Sequence, residues 1–230
     1  MSTIGIIGAG QAGSTLARAV ITSGYDVVIA NSRGPETLAS LVAALGPRAR
    51  AATPAEAASA ADLVVLAFPY RPTDRLPTTQ LAGKVVLDNN NYMPWRDGIY
   101  PEVVAGRKTV HELRQEQLPE AKVVKAFTHV QFHARSEIRV PDDELPAVVR
   151  LARPAGAPDR KALVVSSDFP EAVEAVTRLY DDLGFDAVDN SPLSESWRSG
   201  PGTPMWPHHV DGQSREELVR NLQRAERLPR

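Results

Sequence analysis

The chain has 230 residues, 43% apolar and 23% charged, which suits one large domain and excludes fibrous and disordered proteins. It contains no cysteine, so disulfide frameworks, thiol nucleophiles, iron–sulfur clusters and cysteine-type zinc sites are excluded. Its 26 basic and 28 acidic residues leave a net charge of −2, with no bulk field to draw a nucleic acid and no run near the roughly 18 apolar residues a membrane helix needs.

From Met1 the chain runs directly into a strand pattern without a basic leader, so the expectation is a cytoplasmic protein with neither nucleic-acid nor membrane partner. Ile4 to Ile7 is a short apolar run ended by Gly8, and a helical pattern through Leu16, Ala17, Val20 and Ile21 follows until Gly24. Tyr25 to Ala30 reads as a second buried strand, which closes a strand–helix–strand unit of about 30 residues. The alternation continues with a helix over Pro35 to Leu45, an extended piece near Arg50 to Ala52, a helix over Pro54 to Ala60 and a strand over Leu63 to Ala67. A Pro-rich connection leads to a strand over Lys84 to Asp88, a helix near His111 to Gln117 and a strand over Lys122 to Ala126. Continuous β-branched runs of this kind belong to parallel strands covered on both faces, so the fold class is α/β, doubly wound, with a mostly parallel sheet.

Prolines at 141, 146, 154 and 158 weaken the periodicity from Phe127 to Arg160, which reads as a long loop without its own core. A second strand–helix–strand unit follows: Ala162 to Val165, Pro170 to Leu183 and Phe185 to Val188. The predicted organisation is therefore a nucleotide-binding domain over residues 1–190, including the 127–160 loop, and a C-terminal segment over 191–230 that packs on the pocket or on a dimer partner. Within that segment Ser191 to His209 is rich in Pro, Gly and Ser yet carries Trp197, Met205 and Trp206. Ser214 to Arg227 has a Ser214–Glu217 capping box and an apolar stripe of Leu218, Leu222 and Ala225 that a second subunit can cover.

Gly8-Ala9-Gly10-Gln11-Ala12-Gly13 fits the dinucleotide fingerprint, and it lies between a strand and a helix as that fingerprint requires. Gly8 permits the tight turn, Gly10 lets the backbone approach a pyrophosphate, and Gly13 lets the helix pack closely on the sheet. Where the second strand ends, a carboxylate would select NAD by bonding the ribose 2′-hydroxyl. This chain has Asn31-Ser32-Arg33 instead, donors suited to a 2′-phosphate, so NADP(H) is the expected cofactor.

The reaction pocket in such a sheet lies at the carboxyl ends of the strands, here Ala67-Phe68-Pro69-Tyr70, Asp88-Asn89-Asn90-Asn91 and Phe127-Thr128-His129-Val130. Asn89 or Asn91 can fix the nicotinamide end through amide bonds, or simply build a turn. Thr128 and His129 are the candidate catalytic pair, His129 orienting an acceptor's carbonyl or supplying a proton. Alternatively His129 is a core histidine satisfied by backbone. His208 and His209 are adjacent and point different ways, which disfavours a metal site, and no serine lies in a nucleophile elbow.

Ile4 to Pro35 with its GAGQAG turn, Ala61 to Ala67, Val85 to Asn91 and Val124-Lys125-Ala126-Phe127 together resemble the coenzyme F420-dependent NADP oxidoreductase family. A fainter likeness returns at Asp189 to Leu193. The resemblance implies a Rossmann-type homodimer that stacks the 5-deazaflavin of coenzyme F420, as co-substrate, against the nicotinamide and passes a hydride from ring to ring. It further implies that Ser32 and Arg33 hold the 2′-phosphate, that Ala9, Gly10, Gln11 and Ala12 hold the pyrophosphate, and that Phe127 to Val130 border the stacked rings.

The chain departs from the family after the late match, where Ser199 to Pro204 break any helix and Trp206-Pro207-His208-His209 follow. Tyr92, Met93, Trp95 and Trp206 can then build an apolar slot for a small C=N, C=O or C=C substrate, with His129 or Tyr92 as proton donor, or they can be core and interface aromatics. A nucleotide sensor that binds NADP without turnover is the reading from another class.

Overall fold

The computed structural model describes residues 2–132 and 145–227. Eight strands form one sheet in the order β3-β2-β1-β4-β5-β6-β7-β8. The first half contains β1 (Thr3–Ile7), α1 (Gln11–Thr22), β2 (Asp26–Ala30), α2 (Ala39–Leu45), β3 (Ala49–Ala51), α3 (Pro54–Ala60), β4 (Leu63–Leu66), α4 (Thr78–Leu81) and β5 (Val85–Asp88). The second half continues with α5 (Pro94–Asp97), α6 (Pro101–Val104), α7 (Val110–Gln117), β6 (Lys122–Lys125), α8 (Ala147–Arg150), β7 (Ala162–Ser167), α9 (Pro170–Asp182), β8 (Asp186–Asp189) and α10 (Arg215–Gln223). β1 pairs in parallel with both β2 and β4, Ile4 standing opposite Val27 and Leu63, so the chain reverses its direction of winding between β1 and β4. β7 runs antiparallel to β6, and β8 runs parallel to β7.

Alternate residues of the buried strands feed two layers. Ile6, Val65, Leu87 and Val124 face Leu16 and Val20 of α1 and Val176 and Leu179 of α9. Val64, Val86 and Val123 face Ala58 of α3, Leu81 of α4 and Leu193. This two-sided burial explains why the strands read as unbroken apolar runs. Local signals set the helix starts. Thr53 with Glu56, Thr109 with Glu112 and Ser214 with Glu217 each close a capping box, and Pro stands in the first turn of α3 and α9.

Four expectations change. The helix from Pro35 opens as a 3-10 turn, Pro35–Leu38, before α2, and short turns of helix stand at α4, α5, α6 and α8, too brief for any periodicity. Between Phe127 and Arg160, α8 packs Ala147 and Val148 into the main core; Pro141 and the rest of 133–144 lie outside the described residues. The stripe on α10 is covered by its own chain: Leu218 and Leu222 pack with Met205 against Ala162, Val164 and Val188 of β7 and β8. The 191–209 segment that read as irregular contains 3-10 turns at Leu193–Ser199 and Trp206–His208.

Candidate active site

The turn from β1 into α1 shows a separate steric reason for each glycine. Gly8 has φ of 112°, and a Cβ there would lie 2.6 Å from the Ala67 carbonyl oxygen; a Cβ on Gly13 would lie 1.8 Å from the Gly8 oxygen. A Cβ on Gly10 would meet nothing within 4 Å. The first two glycines serve the fold, whereas the bare backbone at Gly10 faces open space. Gly10 caps α1 without any side-chain hydrogen bond, and the first turn carries no acidic residue, so the positive helix end is not neutralised there. Ala9 and Ala12 pack against the core beside Ala67, which backs the turn through its N–H to the Ile7 carbonyl at 2.8 Å. These features fit a pyrophosphate, with Ala9, Gly10, Gln11 and Ala12 on the approach.

One loop away, Asn31 is occupied with its own turn. Its Oδ1 accepts from the Arg33 and Gly34 N–H groups at 2.9 and 3.0 Å, and its Nδ2 donates to Thr37 Oγ1 at 2.8 Å. Asn31 thus shapes the loop, its Oδ1 accepting two backbone N–H groups and one of its two Nδ2 hydrogens going to Thr37. Ser32 and Arg33 are exposed, and among the described residues no partner engages either side chain. Ser32 is not the cap of the following 3-10 turn, which starts at Gly34. A hydroxyl and a guanidinium therefore stand open at the end of β2.

At the carboxyl end of β6 the chain turns through Phe127, whose φ of 56° is the one positive value at a non-glycine among the described residues. Tyr180 holds that turn: its hydroxyl donates to the Val164 carbonyl and accepts the Phe127 N–H, both at 2.9 Å, and its ring meets the Phe127 ring edge-on. The turn points the Thr128 carbonyl at Asn91, whose Nδ2 donates to it at 2.5 Å. The ends of β5 and β6 are thereby joined. Thr128 and His129 are buried, and His129 Nε2 accepts the Val164 N–H at 3.3 Å. Burial, with Lys125 nearby, pushes the His129 pKa down to about 3, so the ring is neutral at neutral pH. Backbone engages Nε2 of His129 while its Nδ1 is buried without a partner, and burial disfavours the imidazolium form. Asn89 follows β5 with its N–H directed at the Leu66 carbonyl, and Phe68 lies under the Arg114 guanidinium at 5.3 Å.

The predicted aromatic slot does not assemble. Tyr92 is buried against Tyr100 and donates to the Gly98 carbonyl, Trp95 is 82% exposed, and Trp206 stacks on His209. Instead, a cavity of about 180 Å³ at the ends of β5 and β6 is bounded by Asn91, Tyr92, His111, Lys125, Ser196 and Trp197, among others. Asn89, Thr128, His129 and Trp206 are not among the residues that bound it.

Buried charge surrounds that cavity, and sequence reading passed over it. Lys125 is 2% exposed and donates to the Ser196 carbonyl at 2.6 Å; burial pushes its ammonium down to about 7, with Asp88 opposing. Arg114, fully buried, stands 3.5 Å from Asp88 and 3.3 Å from Asp74. Burial pushes the Asp88 carboxyl up, while Arg114 chiefly holds it against that rise. His111 donates to the Asn90 carbonyl and faces the Ser196 hydroxyl, and burial keeps it neutral. The available signal was Lys125 itself: a lysine at an inward-facing position of an otherwise apolar parallel strand contradicts the pattern.

The fold is the α/β, Rossmann-like one of NAD(P)-binding oxidoreductases. The family model described as NADP oxidoreductase, coenzyme F420-dependent, matches residues 3–92 of this chain. Among solved structures, the hypothetical protein SMa0349 from Sinorhizobium meliloti shares 30% identity at a TM-score of 0.68, over 89% of this chain and 93% of that one. A protein from Arthrobacter sp. FB24, provisionally named an F420-dependent NADP reductase, shares 24% at 0.63, over 85% and 87%. An imine reductase from Myxococcus stipitatus in complex with NADP+ shares the fold, with 19% identity and a TM-score of 0.52 over 84% of this chain and 56% of that one. The curated relative YjhV of Escherichia coli strain K12 is 42% identical over 53 residues, a match that spans 23% of this chain and 39% of that protein. Among the described residues no helix is long and apolar enough to cross a membrane.

Proposed function

We propose that this chain binds NADP(H) across the Gly8–Gly13 turn and exchanges hydride between it and coenzyme F420. The observation that carries the cofactor half is the open space over Gly10 at an uncapped helix start, one loop from the free Ser32 and Arg33 side chains. When bound, the dinucleotide supplies or takes up the hydride. The chain contributes backbone N–H groups to the pyrophosphate, Ser32 and Arg33 to the 2′-phosphate, and a wall of Ala67, Phe68, Asn89 and Asn91 beside the reacting end. The family match over residues 3–92 supports F420 as acceptor. A homodimer belongs to the same reading, supported by Trp95 and Ile99, large apolar residues 82% and 67% exposed.

A second reading, reduction of a small carbonyl or imine, draws support from the Lys125 cavity at the ends of β5 and β6. Stopped-flow absorbance with NADPH and oxidised F420 separates the two. Rapid loss of the deazaflavin band, abolished in Gly10→Glu, is the expected result. A band that persists while NADPH still binds, as read by its fluorescence, removes F420 and leaves the small-substrate reading.

A further inference from the structure

Three polar groups on the wall of the Lys125 cavity have unused hydrogen-bonding capacity. Lys125 spends one of its three N–H donors on the Ser196 carbonyl. Asn91 Oδ1 is buried without a partner, its Nδ2 being fixed on Thr128, and Trp197 Nε1 is buried without a partner as well. A buried donor or acceptor left unmet is costly, so Lys125, Asn91 and Trp197 bring two donor groups and one acceptor with spare capacity to the residues that line this cavity. Its lining is also positive, with Lys108 and Arg227 beside Lys125 against Glu226 alone. Asn91 belongs both to this wall and to the end of β5 where the nicotinamide is expected, so the cavity adjoins the expected reacting end.

We propose that this cavity seats the carbonyl end of the hydride acceptor and that Lys125 donates the proton to the oxygen that becomes anionic. The inference rests on the NADP(H) oxidoreductase reading and deepens it by naming the acceptor chemistry: a carbonyl borne by, or conjugated to, the carbon that takes the hydride. The dione edge of a deazaflavin and a small 2-oxo acid share that chemistry. As the hydride bonds to carbon, the C=O electron pair moves to oxygen, or through the conjugated system toward it. Lys125 passes one proton there and is left as the neutral amine, which a solvent proton restores. Two electrons leave the reduced dinucleotide, two enter the acceptor, and one proton is consumed. Trp197 and Lys125 then serve as fixed donors to the developing negative charge, and preorganised donors need no reorganisation as the charge forms. The charged and titratable groups facing Lys125 are Asp88 from β5, His111 and Arg114 from α7 and His129 from the turn after β6. With its ammonium held near pH 7, Lys125 is matched to proton transfer at neutral pH.

Calorimetry on NADP+-loaded protein at pH 8, repeated in two buffers of different ionisation heat, tests this with oxidised F420 in one arm and pyruvate in the other. The expected result is proton uptake approaching one per site with whichever acceptor belongs here, lost in Lys125→Met. Trp197→Phe keeps the uptake but weakens binding about tenfold, and it keeps the test decisive if Lys125→Met does not fold. With the acceptor that binds, wild-type kcat for reduction falls above pH 7, whereas Lys125→Met gives a flat profile at least hundredfold lower with KM for NADPH unchanged. Binding of neither probe, or unaltered uptake and pH profile in Lys125→Met, overturns the proposal. Loss of NADPH binding in the wild-type protein overturns the cofactor reading instead.

Discussion

Gly10 and Gly13 lie three residues apart in one turn, yet they answer to different constraints. At Gly13 an added methyl would meet the Gly8 carbonyl oxygen at 1.8 Å, and backbone cannot give way there without moving α1 off the sheet. Gly13→Ala is expected to lower stability by roughly 3 kcal/mol, read as a drop of several degrees in Tm. At Gly10 the same methyl meets nothing, and the backbone already has a negative φ, so Gly10→Glu should melt within about a degree of wild type while losing NADPH. Equal melting losses at both positions would show that Gly10 serves the fold and not a ligand. Arg33 allows a sharper test of cofactor choice, because its side chain has no partner among the described residues. Arg33→Glu places a carboxylate against the 2′-phosphate, so the Kd for NADPH should rise tenfold or more while NADH binding is spared. Unchanged discrimination between the two would remove Arg33 from the site.

At the scale of elements, the turn after β6 depends on α9. Phe127 adopts a left-handed backbone conformation that costs a non-glycine residue on the order of 1 kcal/mol, and the Tyr180 hydroxyl ties it to β7. Tyr180→Phe leaves the Phe127 N–H and the Val164 carbonyl without that bond. Expected are a loss of about 1–3 kcal/mol in urea unfolding and faster hydrogen exchange at Phe127, while the edge-on ring contact is kept. The extension of the sheet by β7 and β8 depends in turn on α10. Leu218→Ala, a truncation in a closed cluster with Met205 and Val164, should cost about 2–5 kcal/mol, whereas Ser214→Ala at the helix cap should cost about 1. If α10 were held mainly by a second subunit, the Leu218→Ala loss would depend on protein concentration.

For the whole molecule, buried basic groups set how stability follows pH. His129, with its pKa pushed down to about 3, and His111, pushed down in the same sense, are neutral in the folded protein while the unfolded chain takes up protons below about 6.5. The unfolded state then binds more protons, so stability falls as pH drops below about 6.5, for His129 down to about 3 and by up to about 1.4 kcal/mol per unit, with His111 acting in the same direction. Lys125, lowered to about 7, acts by the same sign in a different window: stability rises as pH climbs from about 7 toward 10.5, where only the unfolded chain still holds the proton. Urea unfolding between pH 4 and 9 checks both. His129→Gln, whose amide oxygen can still accept the Val164 N–H, should flatten part of the acid limb, and Lys125→Met should flatten the alkaline one. An acid limb unchanged in His129→Gln would mean that this ring titrates normally and is not sealed.

Much of the fold was legible because it is written in local physics. Buried parallel strands need unbroken apolar runs, helices need caps, and a dinucleotide turn needs glycine where a Cβ would strike backbone; each of these leaves its mark within a few residues. The roles proposed for Ser32 and Arg33 rest on the same local logic, since in a dinucleotide fold the residues after β2 lie toward the ribose. The cavity was not legible. Lys125, Asn91 and Trp197 lie far apart in sequence, and only the pairing of β5 with β6, the left-handed turn at Phe127 and the 3-10 segment at Leu193–Ser199 bring them to one wall. Nor could the sequence tell that the α10 stripe is buried by β7 and β8 or that His129 spends its ring on the Val164 N–H. Backbone propensity and periodicity act over one or two turns of chain, so they fixed the elements and the cofactor turn. Which polar groups are left unmet depends on every neighbour that packing brings close, and tertiary structure alone decided that.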